Sequence, residues 1–160
     1  MTDEVLARVR ATPARRVIAL AMIYALGGIL VYLAFATPPQ SLGWQAFLVA
    51  AGVAALWLAE RMRRATAGEV LLTRDALTDG EGEVLCLMED VVGIDRGMFA
   101  FKPSNGFVLR LAAPAPRRWA PGLWWRLGRR VGIGGVVPSG QGKFMAEMIA
   151  QLLVQRDGDR

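Results

Sequence analysis

Two apolar runs near the start of the chain constrain its fold more than any other feature. Residues 17–36 contain no charged and no strongly polar side chain, and residues 42–59 contain one strongly polar side chain, that of Gln45. A helix of roughly 20 apolar residues crosses the ~30 Å hydrocarbon core of a bilayer. A chain inside that core must satisfy its own backbone hydrogen bonds, which favours a helix. The two runs therefore predict a pair of transmembrane helices.

The segment that joins the runs predicts a helical hairpin over residues 17–64. It contains Pro38, Pro39 and Gly43 and carries no Lys or Arg. Proline cannot continue a helix, and so short a loop makes the two helices antiparallel neighbours. Small residues recur on one face of each helix, where they allow close approach. We expect these faces to close the hairpin; the alternative is that one of them docks on another membrane protein. The small residues are Ala21, Ala25 and Gly28, and Ala50, Ala51, Ala54 and Ala55.

Arginines flank the hairpin on both outer sides and predict its orientation. Because Lys and Arg stay on the cytoplasmic side, both termini of this multi-pass chain should be cytoplasmic. Tryptophans near the helix ends suit the membrane–water interface. A cleaved signal peptide is the rival for the first run, but its apolar region spans only about 7–15 residues. The residues expected to anchor the hairpin are Arg15, Arg16, Trp44, Trp57, Arg61, Arg63 and Arg64.

Charge and residue types exclude several functions. Of the 19 basic residues, seven flank the hairpin, which leaves 12 from residue 65 onward against 11 acidic ones. This near neutrality argues against nucleic acid as a partner, despite the net charge of +5. The chain has no histidine and a single cysteine, Cys86, so catalysis through Ser-His-Asp or Cys-His sets is ruled out. We expect a non-catalytic protein with no cofactor and no metal site.

The rest of the chain predicts an arm and one small domain. Residues 1–16 are expected to be a polar cytoplasmic arm, either a short helical stretch or disordered. Residues 65–160 contain short apolar runs separated by turn signals, which indicate an antiparallel sheet or barrel. Residues 139–153 show the three- and four-residue spacing of an amphipathic helix, with Ser139 as its N-cap. The strand candidates are residues 69–73, 82–88, 91–95, 98–101, 107–111 and 131–137.

A segment rich in arginine and tryptophan, residues 112–130, is the best candidate for a binding site. It has five basic residues and no acidic one. Arginine pairs with phosphate, and tryptophan favours a boundary between water and apolar groups, so the mixture suits lipid headgroups. It also suits a protein partner, and a third interpretation is that the tryptophans pack on the domain's own core. The candidate residues are Arg117, Arg118, Trp119, Trp124, Trp125, Arg126, Arg129 and Arg130.

The order of these elements, with the strand at residues 89–95 and the glycine-rich residues 132–136 before the helix, resembles a known family. In that family of bacterial membrane proteins a transmembrane hairpin precedes a pleckstrin-homology-like domain. The resemblance implies a membrane-anchored α+β protein whose strongly bent antiparallel sheet, or partial barrel, of about seven strands is capped by a C-terminal helix. Such domains bind proteins or lipids. Six strand candidates are visible, and a seventh would lie within residues 112–130.

Two functions follow from these features of the sequence. The first is an inner-membrane-anchored interaction module that binds lipid headgroups or a partner through the segment rich in arginine and tryptophan. The alternative is an accessory or assembly subunit of a larger membrane complex, docked through its hairpin. The expected partners are membrane lipids and a membrane protein or a second copy of the chain. A third hypothesis, a membrane enzyme, is less favoured than these two.

Overall fold

The computed structural model describes residues 4–95 and 103–158. In that part of the chain three helices accompany two antiparallel sheets, one with the strand order β1-β2-β3-β4 and one with the order β5-β6-β7. The strand predicted at residues 98–101 lies outside the described residues. The elements are β1 (Ala7–Arg10), α1 (Pro13–Ala36), α2 (Leu42–Ala65), β2 (Glu69–Leu72), β3 (Ala76–Asp79), β4 (Val84–Leu87), the 3-10 helix Met88–Asp90, β5 (Val91–Asp95), β6 (Phe107–Ala120), β7 (Trp124–Ile133) and α3 (Ser139–Gly158).

Residues 7–10 form a strand of the sheet, so the prediction of a helical or disordered arm is wrong for this part of residues 1–16. β1 pairs antiparallel with β2, from Ala7 opposite Leu72 to Arg10 opposite Glu69. Its side chains alternate, with Ala7 and Val9 buried and the two arginines exposed. That alternation has the period of a strand and not of a helix. The helical hairpin is therefore inserted between two neighbouring strands of one sheet.

The connections between the hairpin and the sheet are short. Two residues separate β1 from α1, and three separate α2 from β2. Pro13 begins α1, a position where its missing N–H costs nothing. The Thr12 N–H donates to the Val136 carbonyl at 2.8 Å. Arg16 donates to the Thr66 hydroxyl through Nε and to the Arg63 carbonyl through Nη2, both at 2.9 Å. The two Arg16 bonds hold the start of α1 against the end of α2, and the Thr12 bond holds it against the segment before α3.

α1 and α2 have 24 residues each and are long and apolar enough to cross a membrane. Only 11% of the most apolar window of each helix is buried within the chain, so most of this apolar surface faces outward. Gln45, the strongly polar residue of the second run, donates from Nε2 to the Ala34 carbonyl at 2.8 Å. Its polar group is thus satisfied within the helix pair, as an apolar surrounding requires.

The two helices contact each other through glycines other than those predicted. Gly27 and Gly52 are buried and face each other, and a methyl group placed on Gly52 would lie 2.6 Å from Cγ2 of Val31 and 3.0 Å from the Gly27 carbonyl. Ala21 and Ala25 are exposed, and nothing lies within 4 Å of where a side chain on Gly28 would begin. The predicted contact face of α1 is therefore wrong. The contact with α2 is made by Gly27, one residue before the predicted Gly28.

The core of the sheet domain lies between the two sheets and α3. α3 begins at Ser139, as expected, and buries Met145 and Ile149 against the sheets, whereas Phe144 is exposed. β7 ends at Ile133, earlier than the predicted strand of residues 131–137, because Gly134 and Gly135 adopt positive φ values. The fully buried strand residues are Val9, Val70, Leu72, Leu77, Val91, Leu109, Val131 and Ile133.

The segment rich in arginine and tryptophan forms most of a long hairpin made by β6 and β7. Two prolines, Pro114 and Pro116, lie on β6 where its register with β7 shifts, between Arg110 and Arg118. Proline has no N–H to donate, so it is tolerated where the ladder is interrupted. Residues 112–130 extend the strands predicted at residues 107–111 and 131–137 and add no separate seventh strand. The described residues contain seven strands in all, of which β1 and β3 were not predicted.

The glycine contact between α1 and α2 predicts a matched pair of variants. Gly52→Val places its side chain against Val31 and the Gly27 backbone, and overpacking of this kind costs roughly 1–3 kcal/mol. Gly28→Val meets open space. We expect Gly52→Val to lower the melting temperature of the detergent-purified chain and Gly28→Val to leave it unchanged. An equal effect of the two variants would contradict the observed helix contact.

Candidate functional site

The eight candidate residues on β6 and β7 divide into a buried and an exposed set. Trp124 and Arg126 are only 5% and 8% exposed. Trp125 is half-buried, with its indole ring packed on the backbone of Gly132. These side chains belong to the interior of the fold. The exposed set consists of Arg117, Arg118, Trp119, Arg129 and Arg130.

Arg126 connects the two sheets. Its Nε donates to the Pro116 carbonyl at 2.7 Å, and Nη1 donates to the carbonyls of Val84 and Leu85, both at 2.9 Å. Nη2 lies 3.6 Å from Oε1 of Glu83. A planar guanidinium suits this arrangement because its donors point in several fixed directions. Arg126 therefore holds β4 against β6 and β7, and its prediction as a binding residue is corrected to a structural role.

The exposed arginines keep accessible charge. Arg118 Nε lies 3.1 Å from Glu83 Oε1, and Arg130 Nη2 lies 3.9 Å from Asp95 Oδ2. Exposed ion pairs of this kind contribute only ~0–1 kcal/mol and exchange readily with other partners. The Arg117 side chain forms no hydrogen bond or ion pair within residues 4–95 and 103–158. This side of the hairpin can therefore meet an anionic surface or partner.

The tip of the β6–β7 hairpin packs against the end of α2. The Arg61 guanidinium carbon lies 5.4 Å from the ring centre of Trp57 and 5.9 Å from that of Trp119. Arg61 also donates from Nη2 to the Trp119 carbonyl at 3.5 Å. The backbone of Gly122 lies on Met62, where a methyl group would be 2.9 Å from Cε. Cation–π contacts join the sheet domain to the helix here, and we call the three residues Trp57, Arg61 and Trp119 the Trp57–Arg61–Trp119 stack.

Both tryptophans of the stack remain about half exposed, Trp57 at 57% and Trp119 at 48%. Each ring therefore has one side on Arg61 and another free to contact the surroundings. A half-exposed indole combines apolar area with a polar N–H, so it favours a boundary between water and apolar groups.

A groove lies beside this stack, between the end of α2, the β3–β4 turn and the tip of the β6–β7 hairpin. Its volume is about 340 Å³. Charges of both signs line it, and we call it the charged groove. The charged residues that line it are Arg61, Arg64 and Arg118, and Glu69, Asp79, Glu81 and Glu83.

The predicted anchoring arginines also make contacts within the chain. Arg15 donates from Nη1 to the Val137 carbonyl at 3.1 Å. Arg63 donates twice to Glu60 at 2.7 Å, and Arg64 donates once at 2.8 Å. Tyr24 of α1 donates its hydroxyl to the same carboxylate at 3.0 Å. The basic end of the hairpin is therefore fixed internally, while Trp44 at the opposite end stacks on a neighbouring ring, that of Phe47.

The cysteine is not a nucleophile. Cys86 is buried on β4, and its burial raises the pKa of the thiol to about 12, although the nearby Arg126 opposes the shift. The thiol therefore stays protonated near neutral pH, whereas reactive cysteines carry a thiolate.

Sequence reasoning missed the acidic side of the groove and the link between Arg61 and Trp119. A signal existed for part of the stack, since Trp57 and Arg61 are four residues apart and share a helix face. The four carboxylates come from two separate strands and a turn, so nothing in their spacing predicted a shared groove.

Comparisons with family models, with curated protein sequences and with solved structures find no match to this chain. What the chain does must therefore follow from the contacts of its own residues.

The role of Arg126 predicts a second matched pair. Arg126→Met leaves the carbonyls of Val84 and Leu85 without their donor, and an unsatisfied buried acceptor costs roughly 1–3 kcal/mol. Arg129→Met removes an exposed guanidinium from the same strand and should change stability by less than about 0.5 kcal/mol. Thermal melts of the purified full chain measure both. Arg126→Lys should also be less stable than the unaltered chain, because an ammonium lacks the guanidinium fork. Equal melting temperatures for all three variants would contradict the role of Arg126 in holding β4 against β6 and β7.

Proposed function

We propose that this chain is a non-catalytic interaction module anchored in a bacterial inner membrane. Its α1–α2 hairpin spans the bilayer, both termini are cytoplasmic, and the sheet domain binds lipid headgroups at the cytoplasmic surface. The length and hydropathy of the two helices support the anchoring. The outward-facing apolar surface of both helices supports it as well, because a core helix of a soluble protein would be buried.

The distribution of arginine supports the orientation. Arg15, Arg16, Arg61, Arg63 and Arg64 all lie at one end of the hairpin, and residues 37–43 at the other end carry no basic residue. This bias favours a cytoplasmic location for the basic end. Because β1 and β2 adjoin that same end, the sheet domain lies on the cytoplasmic side.

The Trp57–Arg61–Trp119 stack is the observation that carries the lipid-binding proposal. Trp57 lies two turns before the end of α2, where a tryptophan sits at headgroup depth. The stack holds Trp119, at the hairpin tip, next to it. The exposed Arg117 and Arg118 of the same strand then face the headgroups, where a basic residue contributes about 1 kcal/mol.

The number of described strands and the C-terminal helix support what the family resemblance implies, whereas the two separate sheets and the position of β1 before the hairpin differ from it. A four-stranded and a three-stranded antiparallel sheet are followed by a C-terminal helix. We therefore propose a pleckstrin-homology-like domain whose first strand precedes the membrane hairpin. In this arrangement the hairpin is an insertion between β1 and β2.

A second function, an accessory subunit docked through its hairpin, is favoured by one separate observation. Ala21, Ala25 and Gly28 form a face of α1 that does not contribute to the α1–α2 contact. Small residues in such a position allow another helix to approach closely. Native mass measurement after mild-detergent purification distinguishes the two functions, since a lone monomer would count against the subunit.

The lipid-binding proposal is tested by the depth of the hairpin tip. The full chain carries a fluorophore on Ala120→Cys at the tip or on Val154→Cys, which is exposed near the end of α3. In vesicles with brominated lipids we expect strong quenching at the tip. We expect little quenching at residue 154, because Arg156 holds that end of α3 against the 3-10 helix of the sheet domain.

Adding Arg117→Ala and Trp119→Ala to the tip-labelled chain should weaken the quenching, most clearly in vesicles with anionic lipid. Equal quenching at the two labelled positions would overturn the proposal. Quenching that is indifferent to the two alanine substitutions would overturn the role of these side chains.

A further inference from the structure

The charged groove does not suit a ligand of a single charge sign. Three arginines and four acidic residues line it. An anionic headgroup without an amine would face the carboxylates, and a simple cation would face the guanidiniums. A divalent cation is also disfavoured, because no three acidic side chains in the described part of the chain come close enough to hold a metal ion.

We call Arg61 and Arg64 the basic side of the groove and Glu69 and Glu81 its acidic side. Arg118 belongs to neither side, because its Nε lies 3.1 Å from Oε1 of Glu83. Arg61 and Arg64 lie on the last turns of α2, with a rise of about 1.5 Å per residue between them. Glu69 begins β2, after α2 has ended, and Glu81 lies in the β3–β4 turn. With the hairpin in a bilayer as proposed above, the basic side is nearer to the lipid and the acidic side is nearer to the cytoplasm.

We propose that the charged groove binds the headgroup of a zwitterionic aminophospholipid, an inference that rests on the proposed membrane orientation. In such a lipid the phosphodiester lies next to the glycerol and the primary ammonium extends beyond it, in the order of the groove's charges. The phosphodiester accepts hydrogen bonds from Arg61 and Arg64. The ammonium donates up to three hydrogen bonds, which a quaternary choline headgroup cannot do.

Glu81 is the carboxylate available for the ammonium. Asp79 Oδ1 already accepts the N–H groups of Glu81 and Glu83, at 3.1 and 2.7 Å, which fixes the shape of the turn. Glu83 is shared between Arg118 and Arg126. The Glu81 side chain is exposed and makes no hydrogen bond or ion pair within the described residues. Its carboxylate therefore extends from a hydrogen-bonded turn and is not paired with any cation of the described residues.

The basic side has donors available as well. The Arg61 guanidinium rests on two indole rings and makes one long hydrogen bond, of 3.5 Å, to a carbonyl. Most of its N–H groups are therefore free to meet a phosphodiester. The groove volume of about 340 Å³ lies within the range of small-molecule sites, roughly 300–1,000 Å³.

Native mass spectrometry of the full chain tests this inference. The detergent-purified protein is incubated with equal amounts of phosphatidylethanolamine, phosphatidylcholine and phosphatidylglycerol. We expect phosphatidylethanolamine to be retained roughly tenfold over phosphatidylcholine, the effect of one charge-assisted hydrogen bond. Retention of phosphatidylglycerol in preference to phosphatidylethanolamine would overturn the proposal.

Variants assign the effect to the groove. Glu81→Gln should bring the ratio of phosphatidylethanolamine to phosphatidylcholine close to one, and Glu147→Gln on the exposed face of α3 is the matched control that should keep it. Arg61→Gln should lower retention of both lipids, because they share the phosphodiester. If Glu81→Gln leaves both the melting temperature and the ratio of retained phosphatidylethanolamine to phosphatidylcholine unchanged, the proposed binding site is wrong.

The two proposals fail in distinguishable ways. Quenching of the hairpin-tip label in vesicles of phosphatidylcholine and phosphatidylglycerol requires no aminophospholipid. If that quenching is observed while the lipid preference is absent, the groove assignment alone is wrong. If the tip label is not quenched, the membrane orientation itself is wrong, and the groove assignment fails with it.

Discussion

The pairing of β1 with β2 is the interaction on which the rest of the structure depends. It joins a strand at residues 7–10 to one at residues 69–72, with the two apolar helices between them. Neighbouring strands lie about 4.8 Å apart, so the chain leaves the sheet and returns to it at almost the same place. The start of α1 and the end of α2 are therefore neighbours before any helix–helix contact forms. The entropic cost of closing a longer loop rises only slowly with its length, which makes such an insertion tolerable.

This pairing also joins the sheet domain to the helices through two connections. Two short connections, instead of one flexible linker, prevent the domain from rotating about a single bond. Arg16 and Thr12 add hydrogen bonds on one side of the junction. The Trp57–Arg61–Trp119 stack adds contacts on the other.

Local patterns were sufficient to predict much of the fold. The apolar runs predicted α1 and α2 because their composition suits no other structure, and short alternating or apolar runs predicted β2, β4 and β5. β1 was missed because four residues give little local signal and their partner lies beyond residues 11–68. The contact between Gly27 and Gly52 was missed because small residues occur all around both helices, so composition alone does not determine which face is buried.

The sequence predicted which residues form the candidate site, but it did not predict which of their side chains face inward and which face outward. A strand was predicted within residues 112–130 but without bounds, so no alternation was available to show which side chains face inward. Once β7 is a strand, Trp124 and Arg126 fall on the inward face by alternation. The exposed remainder, with Trp119 and Arg117, is the part that the structure leaves available. The acidic half of the groove depends on tertiary contacts between distant segments, which no spacing in the sequence encodes.

Disulfide cross-linking across the first two strands tests the central claim most directly. Arg8 lies opposite Leu71, and Leu71 lies opposite Thr78 on the next strand. Two cysteines can bridge only when their Cα atoms are within about 7 Å. In the membrane-embedded full chain, oxidation should cross-link Arg8→Cys with Leu71→Cys and should not cross-link Arg8→Cys with Thr78→Cys. Absence of the first cross-link, or equal formation of both, would contradict the insertion of the helical hairpin between β1 and β2.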